Sequence, residues 1–525
     1  MFGTRLHWIV AALYVAGLVA LGIRASRRNG DSNQFLNATG SLPTWLCIVS
    51  YIAANCGSLD VTAMVALGAQ YGLLACHFHW IGATPALVAV ALWVLPAYAR
   101  GRFPTVLDFI GHYYGERTRS LAALCMAAMM LLLAGVCLCA VAQMMAVFLG
   151  WSFGLCVLAT SVVVLFYTWI GGLRATIYTE LLHFVVVLLA IVPIFFLVLR
   201  DFGGIGPLLS RLPETNRHVW QGMPLFAPGA VMDQVGVIFG LGLILSCGYW
   251  STDFVLMQRA LAVRRQADAP FVPLSMAVAK IAFAFLLVLP GAAAPLVLRG
   301  QLGHNWNATL PSLMMHYYDP AWRIVGVLGL TASLAAAFAN NVTGFSAAWM
   351  QGIYRAWIRP HATESHYLLL GRMTNAGAVL LSAGVAYSAL QFGSLMEYIQ
   401  MIFSTFNAPL FALVLLAALA PGWARGGGVI GLLFGVGSAG LHQALLSTGM
   451  LRYGSRMSAN FYAAIAAFCI TAVVALASSR LRTNKPIVAG STSSAARLPI
   501  VYSGVTAIWA LAALGLCLLV NVLLR

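Results

Sequence analysis

Along nearly its whole length the chain alternates apolar runs of about 20 residues or more with short connections that hold its charges. A run of that length is what an α-helix needs to cross the hydrocarbon core of a bilayer. Charged side chains make up only 8% of the residues, against about 25% in soluble domains, which excludes a soluble enzyme and a disordered scaffold. The formal net charge of +16 would suit a nucleic-acid partner. The Arg residues, however, stand singly between apolar runs, as they do at the flanks of membrane spans, and form no phosphate-binding patch. The expected partner is therefore the lipid bilayer and not a nucleic acid. The chain reads as an all-α polytopic membrane protein.

The runs predict about fourteen transmembrane helices, at about 6–24, 43–70, 73–98, 119–149, 152–172, 176–199, 231–259, 271–298, 320–357, 364–389, 393–419, 426–447, 460–480 and 500–523. Several exceed one crossing and must tilt or break. The first is followed by Arg24, Arg27 and Arg28 and by no small-residue cleavage site, so a retained span is expected rather than a signal peptide. The longest connections, about 200–230 and 299–319, are too short for a soluble domain, so 1–525 reads as one transmembrane domain. Alternate short loops carry the Arg residues, while those near 70–73, 150 and 390 carry none. By the positive-inside rule both termini lie outside, in a cell membrane, with a bacterial inner membrane expected. Most cysteines lie inside apolar runs, where a thiol acts as a small hydrophobe. His77 and His79 are two apart and share no helix face, so no metal site is expected.

Five charges stand where an apolar span should be: Asp60, Glu180, Asp253, Lys280 and Glu397. A charge at the centre of a span costs about 2.5–3.5 kcal/mol on insertion scales, so each needs a polar cavity, a partner or a role. The competing reading is an ion pair that locks two helices. Glu180, Asp253 and Glu397 are candidate coupling or gating charges; Asp60 and Lys280 lie farther from their span ends.

Two spans are interrupted by small and polar residues. One reads Ser50-Tyr51-Ile52-Ala53-Ala54-Asn55-Cys56-Gly57-Ser58-Leu59-Asp60, with Gly57 able to take an unwound conformation. The other reads Ser246-Cys247-Gly248-Tyr249-Trp250-Ser251-Thr252-Asp253. Paired interruptions point to a transporter of inverted repeats whose unwound segments face a site at mid-membrane. Each opens a block of five spans, 43–199 and 231–419, with one extra helix before (6–24) and three after (426–523).

At these residues the chain resembles the sodium/solute symporter family, in its sodium–glucose cotransporter branch. The resemblance rests on Ala53-Ala54-Asn55-Cys56-Gly57-Ser58, on Phe78-His79-Trp80, and on Gly171-Gly172-Leu173-Arg174-Ala175 followed by Tyr178-Thr179-Glu180. Tyr249-Trp250-Ser251-Thr252-Asp253 with Gln258-Arg259, and Tyr398-Ile399-Gln400 before Pro409, complete it. It implies a LeuT-type five-plus-five inverted repeat. It also implies a substrate site at Asn55, Asp60, His79, Tyr249, Trp250, Lys280 and Gln400. These side chains suit a polar solute: amides and an ammonium for hydroxyls, aromatic walls for an apolar face.

The chain departs from the family at the ion site. The resemblance places the backbone carbonyls of Ala53 and Cys56 there, with Ala336 and Ala337 where the family carries two hydroxyls. Methyl groups cannot coordinate a hard cation, which takes oxygen ligands. Asp60 and His79 also depart from the branch's pocket, and an Asp–His pair could carry a proton instead. The expected function is secondary transport of a small polar solute, sugar-like or amine-bearing, by alternating access. No cofactor is expected; the missing hydroxyls predict transport independent of sodium, and sodium and a proton are the candidates if an ion is coupled. A proton-coupled carrier, a uniporter and a solute receptor without transport remain as alternatives; no enzyme motif is present.

Overall fold

The computed structural model describes residues 43–524 apart from 102, 104, 171–173, 300–301, 304, 420–425 and 483–503. The expected first span, 6–24, lies outside the described residues. All regular elements among the described residues are helical. Eleven helices among them are long and apolar enough to cross a membrane, and Thr44–Asn55, Phe153–Phe166 and Gly236–Thr252 are shorter apolar helices. The expected run 43–70 is met by two helices, α1 (Thr44–Asn55) and α2 (Ser58–Tyr71).

The remaining helices follow in order. They are α3 (Phe78–Tyr98), α4 (Val106–Tyr114), α5 (Glu116–Leu149), α6 (Phe153–Ile170) and α7 (Arg174–Phe202). Next come α8 (Gly236–Thr252), α9 (Phe254–Leu261), α10 (Phe271–Leu298) and α11 (Pro320–Trp349). The chain continues with α12 (Glu364–Ala389), α13 (Leu395–Leu419), α14 (Gly428–Ser447), α15 (Arg456–Arg482) and α16 (Gly504–Leu523).

The first break needs no glycine freedom. Cys56 has φ −80°, ψ 36° and Gly57 has φ −75°, ψ −179°, conformations open to any residue. Gly57 is thus unwound, as expected, although its angles do not require a glycine. A Cβ there would lie 3.7 Å from Ser333 Oγ, an ordinary contact. What restarts the helix is a partner from across the bundle: the Ser58 N–H donates to Ser333 Oγ of α11 at 3.2 Å. One of the four N–H groups that open a helix without an internal acceptor is satisfied in this way.

The second break falls at Asp253, the last residue of the expected interruption. Asp253 is extended (φ −67°, ψ 111°) and its Oδ1 accepts from the Leu256 N–H at 2.9 Å. The carboxylate therefore caps α9. Asp253→Ala is expected to lower stability by about 1 kcal/mol. Asp253→Asn should recover most of that loss, read as the midpoint of thermal unfolding of the purified protein.

Glycines set the approach of α2 and α10. A Cβ at Gly68 would lie 2.6 Å from the Val288 carbonyl oxygen, and one at Gly291 would collide with the Val65 carbonyl oxygen. The close crossing fixes the register of the two helices. Residue pairs 68–291 and 60–280 advance in the same direction, so Asp60 and Lys280 meet on the same seam. Small residues at such crossings are how membrane helices approach closely.

Candidate functional site

A cavity of about 400 Å³ lies between the two broken helices and α3, α5, α10, α11 and α13. That is within the range of small-molecule sites, about 300–1,000 Å³. Asn55, Asp60, His79, Tyr249, Trp250, Lys280 and Gln400 all line it. The Asn55 amide donates to the Tyr249 hydroxyl at 3.0 Å and so joins the end of α1 to the last turns of α8. The Tyr249 ring meets Trp250 edge-on at 5.2 Å and lies tilted against Phe403 at 5.4 Å, giving an aromatic wall.

The charged centre of the wall is compact. Lys280 Nζ lies 2.7 Å from Asp60 Oδ2 and 3.2 Å from His79 Nε2. An ammonium can only donate, so Nε2 accepts and the imidazole proton sits on Nδ1. The 3.5 Å approach of His79 Nε2 to Asp60 Oδ1 is then a contact between two acceptors that share one ammonium. Lys280 and His79 are each 2% exposed, while the Asp60 side chain retains 17% toward the cavity. Each charge thus has its opposite at hand, which a buried ion requires.

The wall also holds polar atoms without partners among the described residues. Asn55 Oδ1, Ser58 Oγ, His79 Nδ1, Gln400 Oε1 and Asn407 Nδ2 are all buried and unbonded, on residues that line the cavity. A buried polar atom left unsatisfied costs about 1–3 kcal/mol. Together they give the cavity wall both donors and acceptors.

The remaining expected residues fall into place unevenly. Ala53, Ala336 and Ala337 line the cavity, but Cys56 is fully buried and does not. Ala336 and Ala337 present only methyls, and the nearby Ser333 hydroxyl accepts from the Ser58 N–H. Asp253 lines the cavity as well as capping α9. Glu397 does not line it. Its Oε1 accepts from Tyr71 O–H at 2.7 Å and from Gln70 Nε2 at 2.9 Å, linking α13 to the end of α2. The Glu180 side chain lies outside the described residues. His77 turns away from His79: its Nε2 meets the Val219 carbonyl at 2.7 Å and its ring packs on Trp220.

The cavity is sealed at one end and open at the other. Leu241, Met396 and Gln400 are buried, while Asn340, Ala347 and Gln351 on the C-terminal half of α11 and its continuation are exposed. Sequence reasoning missed Asn407, whose Oδ1 accepts from the Thr252 hydroxyl at 2.9 Å, and His183 in the wall. Both carry a legible signal, a polar residue inside a predicted apolar span. The methionines 126, 129 and 130 of α5, which line the path to the open end, carry no such signal.

The profile of the Sodium:solute symporter family matches residues 35–435. The "Sodium/glucose cotransporter" of Vibrio parahaemolyticus is 24% identical over 468 residues, covering 81% of this chain and 82% of its own. The "Sodium/glucose cotransporter 1" of Ovis aries is 25% identical, covering 91% of this chain and 78% of its own. Among solved structures, a Na+-coupled sialic acid symporter in a substrate-bound outward-open state superposes with a TM-score of 0.72 at 15% identity. It covers 92% of this chain and 99% of that one. The fold is thus the LeuT type, and the relatives are transporters and not enzymes. With the family profile spanning most of its length, the chain belongs to the sodium:solute symporter family as a multi-pass secondary active transporter of a solute.

Proposed function

We propose that the protein carries a neutral polyhydroxylated solute, a sugar or cyclitol, by alternating access and without sodium. The observation that carries the reading is the 2.7 Å pair of Lys280 and Asp60 in the cavity wall. A carboxylate already neutralised by its own protein has no need of a cationic substrate, which favours the sugar-like reading over the amine-bearing one. The unpaired amide atoms of Asn55, Gln400 and Asn407 offer hydroxyl groups both donors and acceptors. The aromatic wall of Tyr249 and Trp250 suits the apolar face of a sugar ring. Relatives named for glucose transport agree with this choice.

Sodium independence is supported by the methyls of Ala336 and Ala337 and by the engagement of Ser333 Oγ with the Ser58 N–H. A hard cation there would lack the two hydroxyls that the resemblance places at 336 and 337. The blocks 43–199 and 231–419 serve as the two repeats. The open end, which carries Arg259, Arg355 and Arg359 nearby, faces the cytoplasm.

The test is a ligand screen by thermal unfolding of the purified protein in potassium buffer, with neutral sugars and cyclitols beside amines. A specific ligand raises the unfolding midpoint by linkage. A neutral polyol should stabilise, with an affinity that changes less than tenfold when sodium replaces potassium. A gain of tenfold or more in sodium, about 1.4 kcal/mol of coupling, contradicts sodium independence. Stabilisation by amines alone contradicts the neutral substrate.

A further inference from the structure

A carrier that accumulates solute without sodium needs another ion, and the wall of the cavity holds two side chains whose ordinary titration falls near neutral pH, His79 and His183. His79 is poorly placed for this. Its Nε2 already accepts from the Lys280 ammonium at 3.2 Å, and a second proton would set two cations against each other.

His183 is placed differently. It lies on α7, which packs antiparallel to α11: a Cβ on Gly326 would lie 3.8 Å from Ala190, and one on Gly329 would meet Val186. One further turn along both helices, at 3.6 residues per turn, sets residue 183 level with Ser333. Ser333 is the residue whose hydroxyl accepts the Ser58 N–H at the first break. His183, Ser333, Ala53 and Ala336 all line the same cavity, and His183 is 6% exposed. The layer also receives the C-terminal end of α1, where the last carbonyls have no helical partner and the helix dipole is negative. Unwound carbonyls and half-helix C-termini are the groups that hold a coupling cation in carriers of this architecture.

We propose that His183 binds the coupling proton, and the proposal rests on the sodium-free reading above. Protonated, the imidazolium draws the carbonyl end of α1 against α7 and α11 and closes the open mouth. On loss of the proton to the water of the cavity, the neutral ring releases α1 and the mouth opens. The proton comes from water on one side and returns to water on the other, leaving the imidazole as it began. The charged and titratable groups that bear on this layer are few. Lys280 of α10 is held by Asp60 and His79, Asp253 lies across the cavity, and Tyr51 and Cys47 belong to α1. Arg323 of α11, His316 and Tyr317 lie toward the sealed end, and Glu180 stands three residues away on α7.

The experiment reads the mouth directly and needs no solute. Ala347, exposed in the open end of the cavity, is replaced by Cys in the full chain in potassium proteoliposomes. Its labelling by a maleimide is timed at pH 8 and pH 5.5, relative to a free cysteine peptide at each pH. Relative labelling should slow at least fivefold at pH 5.5. The pH effect should vanish in His183→Gln and in His183→Asn, and persist in His79→Gln. Equal pH ratios with and without His183, or an effect removed by His79→Gln alone, overturns the proposal. Counterflow of D-glucose in the same vesicles tests the transport reading separately: its absence counts against that solute and leaves the labelling result standing.

Discussion

Replacing Lys280 by Met is expected to lower folding stability by about 3–5 kcal/mol, the cost of leaving a buried charge without its partner. The ammonium is held 2.7 Å from Asp60 and 3.2 Å from His79, and its residue is 2% exposed. Met keeps the length and volume of the side chain and removes only the charge. Asp60→Asn should also destabilise, because the ammonium is then left with a neutral amide and an imidazole. The double variant, Asp60→Asn with Lys280→Met, should be more stable than Lys280→Met alone, since neither charge is left unpaired. Thermal unfolding of the four proteins gives the cycle. Additive losses would mean that the two side chains act independently and that the pair is not what holds the charges in the membrane.

The second large effect is steric. Gly291→Val should cost about 3 kcal/mol or more, at the upper end of what overpacking does. The atoms in its way are backbone, the Val65 carbonyl and the Gly68 Cα, and backbone cannot turn aside as a side chain can. Parting α2 from α10 at this level also draws Asp60 away from Lys280, so the variant should lose ligand binding together with stability. Gly437→Val is the control: a Cβ there meets nothing within 4 Å. It should shift stability by less than about 1 kcal/mol. Equal losses in both variants would remove the crossing from the account.

What the sequence made legible is the part written in runs and interruptions. Apolar runs of bilayer length predicted the helices, because a span must be predominantly apolar over about 20 residues whatever it packs against. The polar string at 50–60 marked the first break, and the ordinary backbone angles of Gly57 show that the signal lay in its neighbours rather than in the glycine. The seven pocket residues came from resemblance to a family, and periodicity alone would not have assembled them, since they lie on six different helices. Which charge meets which was not legible: Asp60 is separated from Lys280 by 220 residues, and the contact depends on where two glycines let the helices cross. Asn407 and His183 were passed over for the opposite reason. Each is visible as a polar residue in an apolar run, but such residues are also used to bond one helix to another, and only the shared cavity distinguishes the two uses.

The central claim is transport of a neutral polyol without sodium, and counterflow tests it most directly. Proteoliposomes holding the purified full chain are loaded with unlabelled D-glucose, or with the neutral polyol that stabilises the protein, and diluted into the labelled solute in potassium buffer free of sodium. The account predicts transient accumulation of label in potassium, changed less than tenfold by sodium. Accumulation that occurs only when sodium is present would contradict it.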